Sequence, residues 1–223
     1  MAEITATNVA TVESSGFTWI GSTWTSLRDA TTGNILDTSS DGTELGVSQY
    51  SARGATFFLI YRVFFEFDTS GISAAPSEAT LKIYGRTKNA GDFYVVRATH
   101  SGAPATSDFD AIHGWNTSSA ADGAGNGDQI GNTTEYSSEV TSWSTSGYND
   151  IALNAQALAD MRDDNIVYIC LINFDHDLLD IAPTGDSAHK NGCYYRNYTG
   201  TSRDPYLDYT LRDDNVIFFG TNF

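Results

Sequence analysis

Four histidines are the residues from which acid–base or nucleophilic catalysis would start: His100, His113, His176 and His189. None of them lies in a recognisable nucleophile motif. A Ser-His-Asp set can still assemble in space, but a chain with this many serines and aspartates produces such matches by chance. The sequence has no cysteine pair at zinc-ligand spacing, and no glycine-rich loop ends in the lysine of a phosphate site. We therefore predict that the protein is not an enzyme.

Oxygen-rich loops offer a second kind of chemistry, because calcium takes several carboxylate and carbonyl oxygens from such loops. The candidate ligands are Asp122, Asn126 and Asp128 in DGAGNGDQ, and Asp37, Asp41 and Glu44 in LDTSSDGTE. Neither stretch matches the twelve-residue calcium loop, and a solvated turn is the competing interpretation of each. The same two interpretations apply to Asp175 and Asp177. Calcium stays open as a cofactor, and no other cofactor is predicted.

Aromatic side chains in polar surroundings indicate a third kind of chemistry, the stacking of sugar rings. The tryptophans in such surroundings are Trp19, Trp24, Trp115 and Trp143. Trp115 and Trp143 are the preferred glycan-binding candidates, with Asn116 as a polar partner. The alternative is that each tryptophan caps the end of a hydrophobic core. The stretch CYYRNYTG supplies a second candidate surface, with Tyr194, Tyr195 and Arg196.

Composition limits the partners that these residues can serve. A net charge of -16 over 223 residues repels nucleic acid and disfavours anionic membranes. The longest apolar run, residues 57–67, is interrupted by Arg62 and is too short to cross a bilayer. The beginning of the sequence lacks the basic and apolar parts of a signal peptide. Cys170 and Cys193 are interpreted as buried thiols, so we expect synthesis in a reducing cytoplasm.

Alternation of apolar residues with period two predicts the strands that position these side chains. In TFFLIYRVFFEFD, every second residue from Phe57 to Phe67 is apolar, and the opposite face is mixed. Further strands are predicted at ATLKIYG, DFYVVRA, NIVYICLINF, PYLDYTL and NVIFFG. Helical spacing occurs in NAQALADMRDD, where Asn154 can cap a short helix over 154–162. The polar stretch 103–145 is predicted to form long loops.

The unit RVFFEFDTSGI followed by SEATLKIYG resembles the signature of DNRLRE-type domains. These are jelly-roll modules, similar to carbohydrate-binding modules, of bacterial surface proteins and virus structural proteins. The matching positions are Arg62, Phe67, Asp68, Gly71, Ile72, Ala79, Thr80, Leu81, Ile83 and Tyr84. By order of elements the likeness covers residues 40 to 211. The resemblance implies that Arg62 and Asp68 are structural, as a partly buried ion pair or a turn clamp.

These observations predict an all-β fold, an antiparallel jelly-roll β-sandwich of roughly eight to ten strands with one short helix. We expect a single domain over residues 1–223, with extended N-terminal (1–40) and C-terminal (212–223) segments.

The resemblance implies a non-enzymatic bacteriophage virion structural protein, either a capsid-surface decoration or a tail or fibre component. Its expected partners are other virion proteins, copies of itself through edge strands at the termini, and host surface glycans. Neither nucleic-acid binding nor membrane insertion is expected. The alternative is that the chain is extracellular, as a carbohydrate-binding module of an exported bacterial surface protein or of a glycan-active enzyme.

Overall fold

The computed structural model describes residues 1–17, 21–39, 43–116, 127–195, 200 and 202–212. Within these ranges the chain forms antiparallel β-sheet with two short α-helices, which confirms the predicted all-β, sandwich-like fold. None of the described helices has the length and apolar character that a membrane crossing requires.

The described residues contain eleven strands, one more than the upper end of the predicted range. Their bounds are β1 (Ala2–Thr5), β2 (Asn8–Phe17), β3 (Ile35–Asp37), β4 (Thr43–Ala52), β5 (Ala55–Asp68), β6 (Pro76–Asn89), β7 (Phe93–Arg97), β8 (Tyr148–Ala152), β9 (Ile166–Asn173), β10 (Ser187–Cys193) and β11 (Tyr206–Leu211). In the stretch 103–145, the described residues, 103–116 and 127–145, lie mostly outside strands and helices, as predicted for long loops.

The α-helices of the described residues are α1 (Trp24–Arg28) and α2 (Ala155–Asp163), and two further short turns are helical, a 3-10 turn at Thr106–Asp108 and a π turn at Phe174–Leu178. The second α-helix confirms the predicted short helix. The Asn154 side chain caps it by accepting hydrogen bonds from the backbone N–H groups of Gln156 and Ala157. The first helix was not predicted, because its five residues are too few to show a helical period.

The strands form two sheets that share the long strand β6. The first sheet contains β1, β11, β6 and β8, and the second contains β10, β4, β5, β2, β3, β9 and β7. Residues 76–84 of β6 pair with β11 and β8, whereas residues 85–89 pair with β10. The chain therefore turns from one sheet into the other within a single strand.

Strand β5 lies at the centre of the second sheet and is buried on both faces. It pairs along one side with β2 and along the other with β4 and then β9. One face contributes Val63, Phe65 and Phe67 to the core between the sheets. The opposite face contributes Phe58, Ile60 and Phe64 to a second core, which is covered by loop residues including Phe109, Ile112 and Leu178. The face of β5 whose residues are mixed in polarity is thus buried from Phe58 to Glu66, as the apolar face is from Val63 to Phe67.

Arg62 stands on this second face, and its partner is not Asp68. Its side chain is fully buried and forms a two-pronged ion pair with Asp177, with Nε to Oδ2 at 2.8 Å and Nη2 to Oδ1 at 2.7 Å. Six residues of strand separate Arg62 from Asp68, roughly 20 Å, so the two side chains cannot meet. Asp68 is exposed and clamps a turn instead, accepting hydrogen bonds from the Ser70 hydroxyl and backbone N–H.

Three strands within residues 1–40, β1, β2 and β3, are incorporated into the sheets. Strand β1 pairs with β11, and β2 lies alongside β5 from Asn8 opposite Glu66 to Phe17 opposite Phe57. The described strands within residues 1–40 therefore belong to the sheets, and the domain bounds stay a prediction. The predicted strand NVIFFG lies outside the described residues.

Both cysteines are free and buried, as predicted. Cys170 belongs to the second core and Cys193 to the core between the sheets. Burial raises the pKa of both thiols, that of Cys193 to about 12.

Candidate functional site

Trp115 is a core residue and not an exposed stacking plane. Its side chain is 7% exposed, and its ring is covered by two buried guanidinium groups. The guanidinium carbons of Arg28 and Arg62 lie 4.8 Å and 4.2 Å from the ring centroid. Since guanidinium groups already lie over this ring, the geometry favours the alternative of a core tryptophan over glycan stacking on Trp115.

Trp143 is also part of a core. Its side chain is 5% exposed and packs edge-on against Phe93, with ring centroids 5.8 Å apart. Its Nε1–H donates a hydrogen bond of 3.3 Å to the carbonyl oxygen of Gly192. The alternative interpretation, that the tryptophans cap the core, therefore describes both residues. Their polar neighbours in the sequence predicted exposure because those neighbours form the loops above the core.

Of the loop candidates, the structure describes Asn116 and Asp128, and it brings Asn116 beside Gln129, the residue after Asp128. The Asn116 backbone N–H donates a hydrogen bond to Gln129 Oε1 at 2.8 Å. Asp128 closes a turn, since its Oδ1 accepts the backbone N–H of Ile130 at 2.7 Å. Asp122, Asn126 and Arg196 lie outside the described residues, as do Trp19 and Asp41.

Tyr194 and Tyr195 point in different directions. Tyr195 is fully buried, and its hydroxyl shares a short hydrogen bond with Thr11. Tyr194 is half-buried at the outer side of the first sheet, where its ring meets Tyr84 edge-on at 5.8 Å. Tyr194 therefore belongs to an aromatic surface, whereas Tyr195 packs in the core between the sheets.

This surface, called the tyrosine face below, comprises Tyr84, Tyr148, Tyr194, Tyr206 and Arg203. Strand pairing creates it: Tyr84 lies opposite Tyr148 across β6 and β8, and Tyr206 of β11 lies opposite Lys82 of β6. The alternate residues Leu81, Ile151 and Leu207 point into the core. The period of two thus leaves the tyrosine side of all three strands facing outwards.

The rings of the tyrosine face form a continuous chain of edge-on contacts. The centroid distances are 5.8 Å for Tyr194 and Tyr84, 5.3 Å for Tyr84 and Tyr148, and 5.1 Å for Tyr148 and Tyr206. The guanidinium of Arg203 lies 4.5 Å from the Tyr194 centroid and 5.0 Å from that of Tyr84. All five side chains are half-buried, so each is held in place while part of it stays accessible.

Burial holds the proton on two hydroxyl groups of this face, those of Tyr148 and Tyr206. Burial, reinforced by neighbouring groups that include Tyr206 and Asp204, raises the pKa of Tyr148 to about 12. Burial also raises the pKa of Tyr206. Beside them Lys82 donates to Asp150 at 2.6 Å, which neutralises both charges. The hydroxyl groups of Tyr84 and Tyr148 already donate to backbone carbonyl oxygens, of Ser146 and of Ser202 and Asp204, so they offer a ligand their acceptor lone pairs. The surface therefore combines aromatic planes with hydroxyl oxygens and paired charges.

Sequence reasoning found Tyr194 and missed the other tyrosines of the face. The signal was present in part, because KIYG, YNDIA and YLDYTL each alternate a core residue with an outward polar or aromatic one. Which strands are neighbours, and in which register, was not readable from that alternation.

A separate group of three carboxylates lies where β7 begins and β9 ends. Asp92, Glu139 and Asp175 bring their oxygens within 4.8 Å of one another. Burial and the neighbouring carboxylates raise the pKa of Asp92 and of Glu139. Carboxylates are ligands that calcium accepts, and the sequence offered Asp175 as a candidate calcium ligand. Acidic groups at a protein surface often lie this close together without an ion.

The sequence matches no established protein family, and no curated protein is significantly similar to it. A function therefore has to be inferred from the surface chemistry of the chain itself, since one fold serves many activities.

Proposed function

We propose that the chain is a non-enzymatic bacteriophage virion structural protein that adheres to host glycans through the tyrosine face. The observation that carries the glycan part is the run of edge-on ring contacts from Tyr194 to Tyr206 on an outward sheet surface. The virion part is supported by the resemblance of residues 62–84 to DNRLRE-type domains. The acidic composition is compatible with a protein displayed on a soluble particle.

Sugar rings suit this surface for a physical reason. A pyranose presents an apolar C–H face that stacks on aromatic rings, and hydroxyls at its rim that need donors and acceptors. Because Arg203 already lies over the rings of Tyr84 and Tyr194, the rings left for stacking are those of Tyr148 and Tyr206. The packed tyrosines lose little side-chain freedom when a ligand arrives, because neighbouring rings already restrict them. Arg203 adds further donors at the edge of the same surface.

A glycan array followed by calorimetric titration tests the glycan part. Tyr206→Ala is expected to weaken binding of the best array ligand by roughly 30-fold, which corresponds to about 2 kcal/mol for the loss of a stacking residue. Tyr50→Ala is the matched control, since Tyr50 is a 40% exposed tyrosine on the second sheet. Equal losses in the two variants, or an array with no bound glycan, would exclude the tyrosine face as an adhesion surface.

Particle composition tests the virion part. Purified particles from the source of the gene are expected to contain this chain in stoichiometric amounts by quantitative mass spectrometry. Glycan binding by a chain that is absent from particles would instead favour a carbohydrate-binding module of an exported surface protein. The two experiments are independent, so one part of the proposal can fail while the other stands.

Association with further copies of the chain is part of the same proposal. Strands β1 and β3 stand at the two ends of the main strand order, and β3 exposes Ile35 and Leu36 by 47% and 38%. Uncovered apolar edges of this kind favour pairing with another chain. Light scattering of the wild type and of Leu36→Lys tests the idea, and a monomeric wild type at micromolar concentration would contradict it.

A further inference from the structure

A cavity of about 520 Å³ opens between the end of β7 and the start of β9. Its volume falls within the range of about 300–1,000 Å³ that small-molecule sites occupy. Residues 97–101 form one side of the cavity and residues 164–166 and 168 the other. These belong to the second sheet and its connections, whereas the tyrosine face belongs mainly to strands of the first.

The charges in the cavity wall are paired. Arg97 donates from Nη1 to Asp160 at 3.0 Å and from Nη2 to Asp164 at 3.1 Å. Tyr136, which also lines the cavity, donates its hydroxyl to Asp160 at 2.5 Å. The guanidinium is thus held between two carboxylates, and it offers an anionic ligand no unshared positive charge. In the lining itself the charge of Arg97 is paired with that of Asp164, so the wall presents no unpaired charge and favours a neutral ligand.

His100 supplies the observation that points to a ligand. His100 is one of the residues that line the cavity, and its side chain is 3% exposed; both ring nitrogens are buried and have no hydrogen-bond partner among the described residues. Burial lowers the pKa of His100 to about 4, so the ring is neutral at physiological pH, with one donor and one acceptor nitrogen. A buried polar atom without a partner costs about 1–3 kcal/mol, and such atoms are rare in native proteins.

The imidazole is held by ring packing alone. Its centroid lies 5.3 Å from that of Phe64 and 4.6 Å from that of Tyr168, both in edge-on geometry. Both nitrogens are sealed from the open space of the cavity, and a ligand there reaches them when the ring turns, a movement that breaks no hydrogen bond. A hydroxyl group both donates and accepts, so it can satisfy the imidazole in either tautomer. Ile166 and the Tyr168 ring provide an apolar wall beside it.

From this geometry we propose that the cavity binds a neutral polyhydroxylated small molecule, a monosaccharide or a sugar alcohol, which hydrogen-bonds His100 and packs on Ile166 and Tyr168. The site is separate from the tyrosine face and does not depend on the proposed function.

Titration of the full chain with neutral monosaccharides and sugar alcohols, and with glucuronate and glucosamine as charged counterparts, tests this inference. Calorimetry gives the affinity, and long-range proton–nitrogen NMR of the histidine rings identifies the residue that responds. We expect saturable millimolar binding of a neutral compound, with chemical-shift changes at His100 and with weaker binding of both charged compounds.

Three variants assign the site. Ile166→Trp fills the mouth of the cavity from a 36% exposed position and should abolish binding, whereas Ile181→Trp, at a 54% exposed isoleucine outside the cavity, should not. His100→Phe keeps the ring packing and should weaken binding by roughly 10-fold, the equivalent of one lost hydrogen bond. Thermal melting establishes that each variant is folded.

The inference is overturned by three results: no saturable binding of any neutral compound, binding of charged compounds alone, or binding that survives Ile166→Trp. Binding that is lost in Tyr206→Ala but kept in Ile166→Trp would place the ligand on the tyrosine face. In that case the cavity inference fails while the proposed glycan adhesion stands.

Discussion

Replacing His100 with phenylalanine should make the stability of the protein less sensitive to acid. The imidazole is buried between Phe64 and Tyr168, where burial disfavours its charged form more strongly than the nearby Asp108 and Glu66 carboxylates favour it. Phenylalanine has a similar flat ring and can keep the edge-on packing. The variant therefore removes the titrating group and leaves the core filled.

The magnitude follows from the pKa values of the two states. The unfolded chain protonates His100 near its ordinary pKa of 6.5, and the folded chain does so only near pH 4. Between these values the unfolded state binds more protons, so the free energy of unfolding falls as the pH is lowered through that window. The His100 contribution is constant above the window, and below about pH 4 the loss is complete. At about 1.4 kcal/mol per pH unit, this amounts to a loss of about 3 kcal/mol.

Urea unfolding of the wild type and of His100→Phe, repeated from about pH 7 to about pH 4, measures this loss. At pH 7 the variant should be as stable as the wild type or about 1 kcal/mol more stable, because two unpartnered polar atoms are gone. Its advantage should then grow by about 2–3 kcal/mol towards pH 4. Distant carboxylates titrate in both proteins and cancel in the difference.

His113→Gln controls for the removal of a histidine at an exposed position, where Nδ1 contacts the Thr134 hydroxyl at 2.7 Å. A difference between wild type and His100→Phe that stays flat across the whole pH range would refute the reasoning. It would mean that the folded protein accommodates a charged imidazole, through water or through a carboxylate that moves to it.

Three further changes test the placement of other residues. Asp177→Asn should lower the free energy of unfolding by about 3–5 kcal/mol in urea, because it leaves the buried Arg62 without its carboxylate; Asp68→Asn, at the exposed turn, should stay close to wild type. Trp143→Ala should cost about 3–5 kcal/mol and leave the glycan affinity of the folded protein unchanged, whereas lost affinity at unchanged stability would make it a binding residue. Gly85→Ala should lower the melting temperature, because its Cβ would lie 1.8 Å from a backbone carbonyl oxygen of the neighbouring loop; an unchanged melting curve would contradict that clash.

The local features of the fold were predictable because they arise from residues close together in the chain. The alternation from Phe57 to Phe67 predicted β5, and Asn154 at the start of NAQALADMRDD predicted α2 with its cap. The buried thiols of Cys170 and Cys193 were predictable from residue type alone. In each case the signal spans about a dozen residues or fewer, which is the range over which period and capping act.

The candidate site was predictable to a smaller extent, because exposure is decided by distant residues. Trp115 stands among polar neighbours, yet Arg28 and Arg62 cover its ring. Tyr84 and Tyr206 each looked like an ordinary strand residue, and their common surface arises when β6, β8 and β11 pair.

By itself, the sequence determined that this chain is an acidic, all-β protein with one main helix and a strand unit at residues 62–84. Composition does not depend on how the chain folds, and alternation and capping are set by residues close together in the sequence, so none of the three requires knowledge of distant contacts. The tertiary structure alone decided that Arg62 pairs with Asp177, 115 positions away, and not with Asp68. It also decided that tyrosines from separate strands share one face. Both outcomes depend on strand register and on which loop covers which core, and a shift of one residue in register would turn each side chain to the opposite face of its sheet.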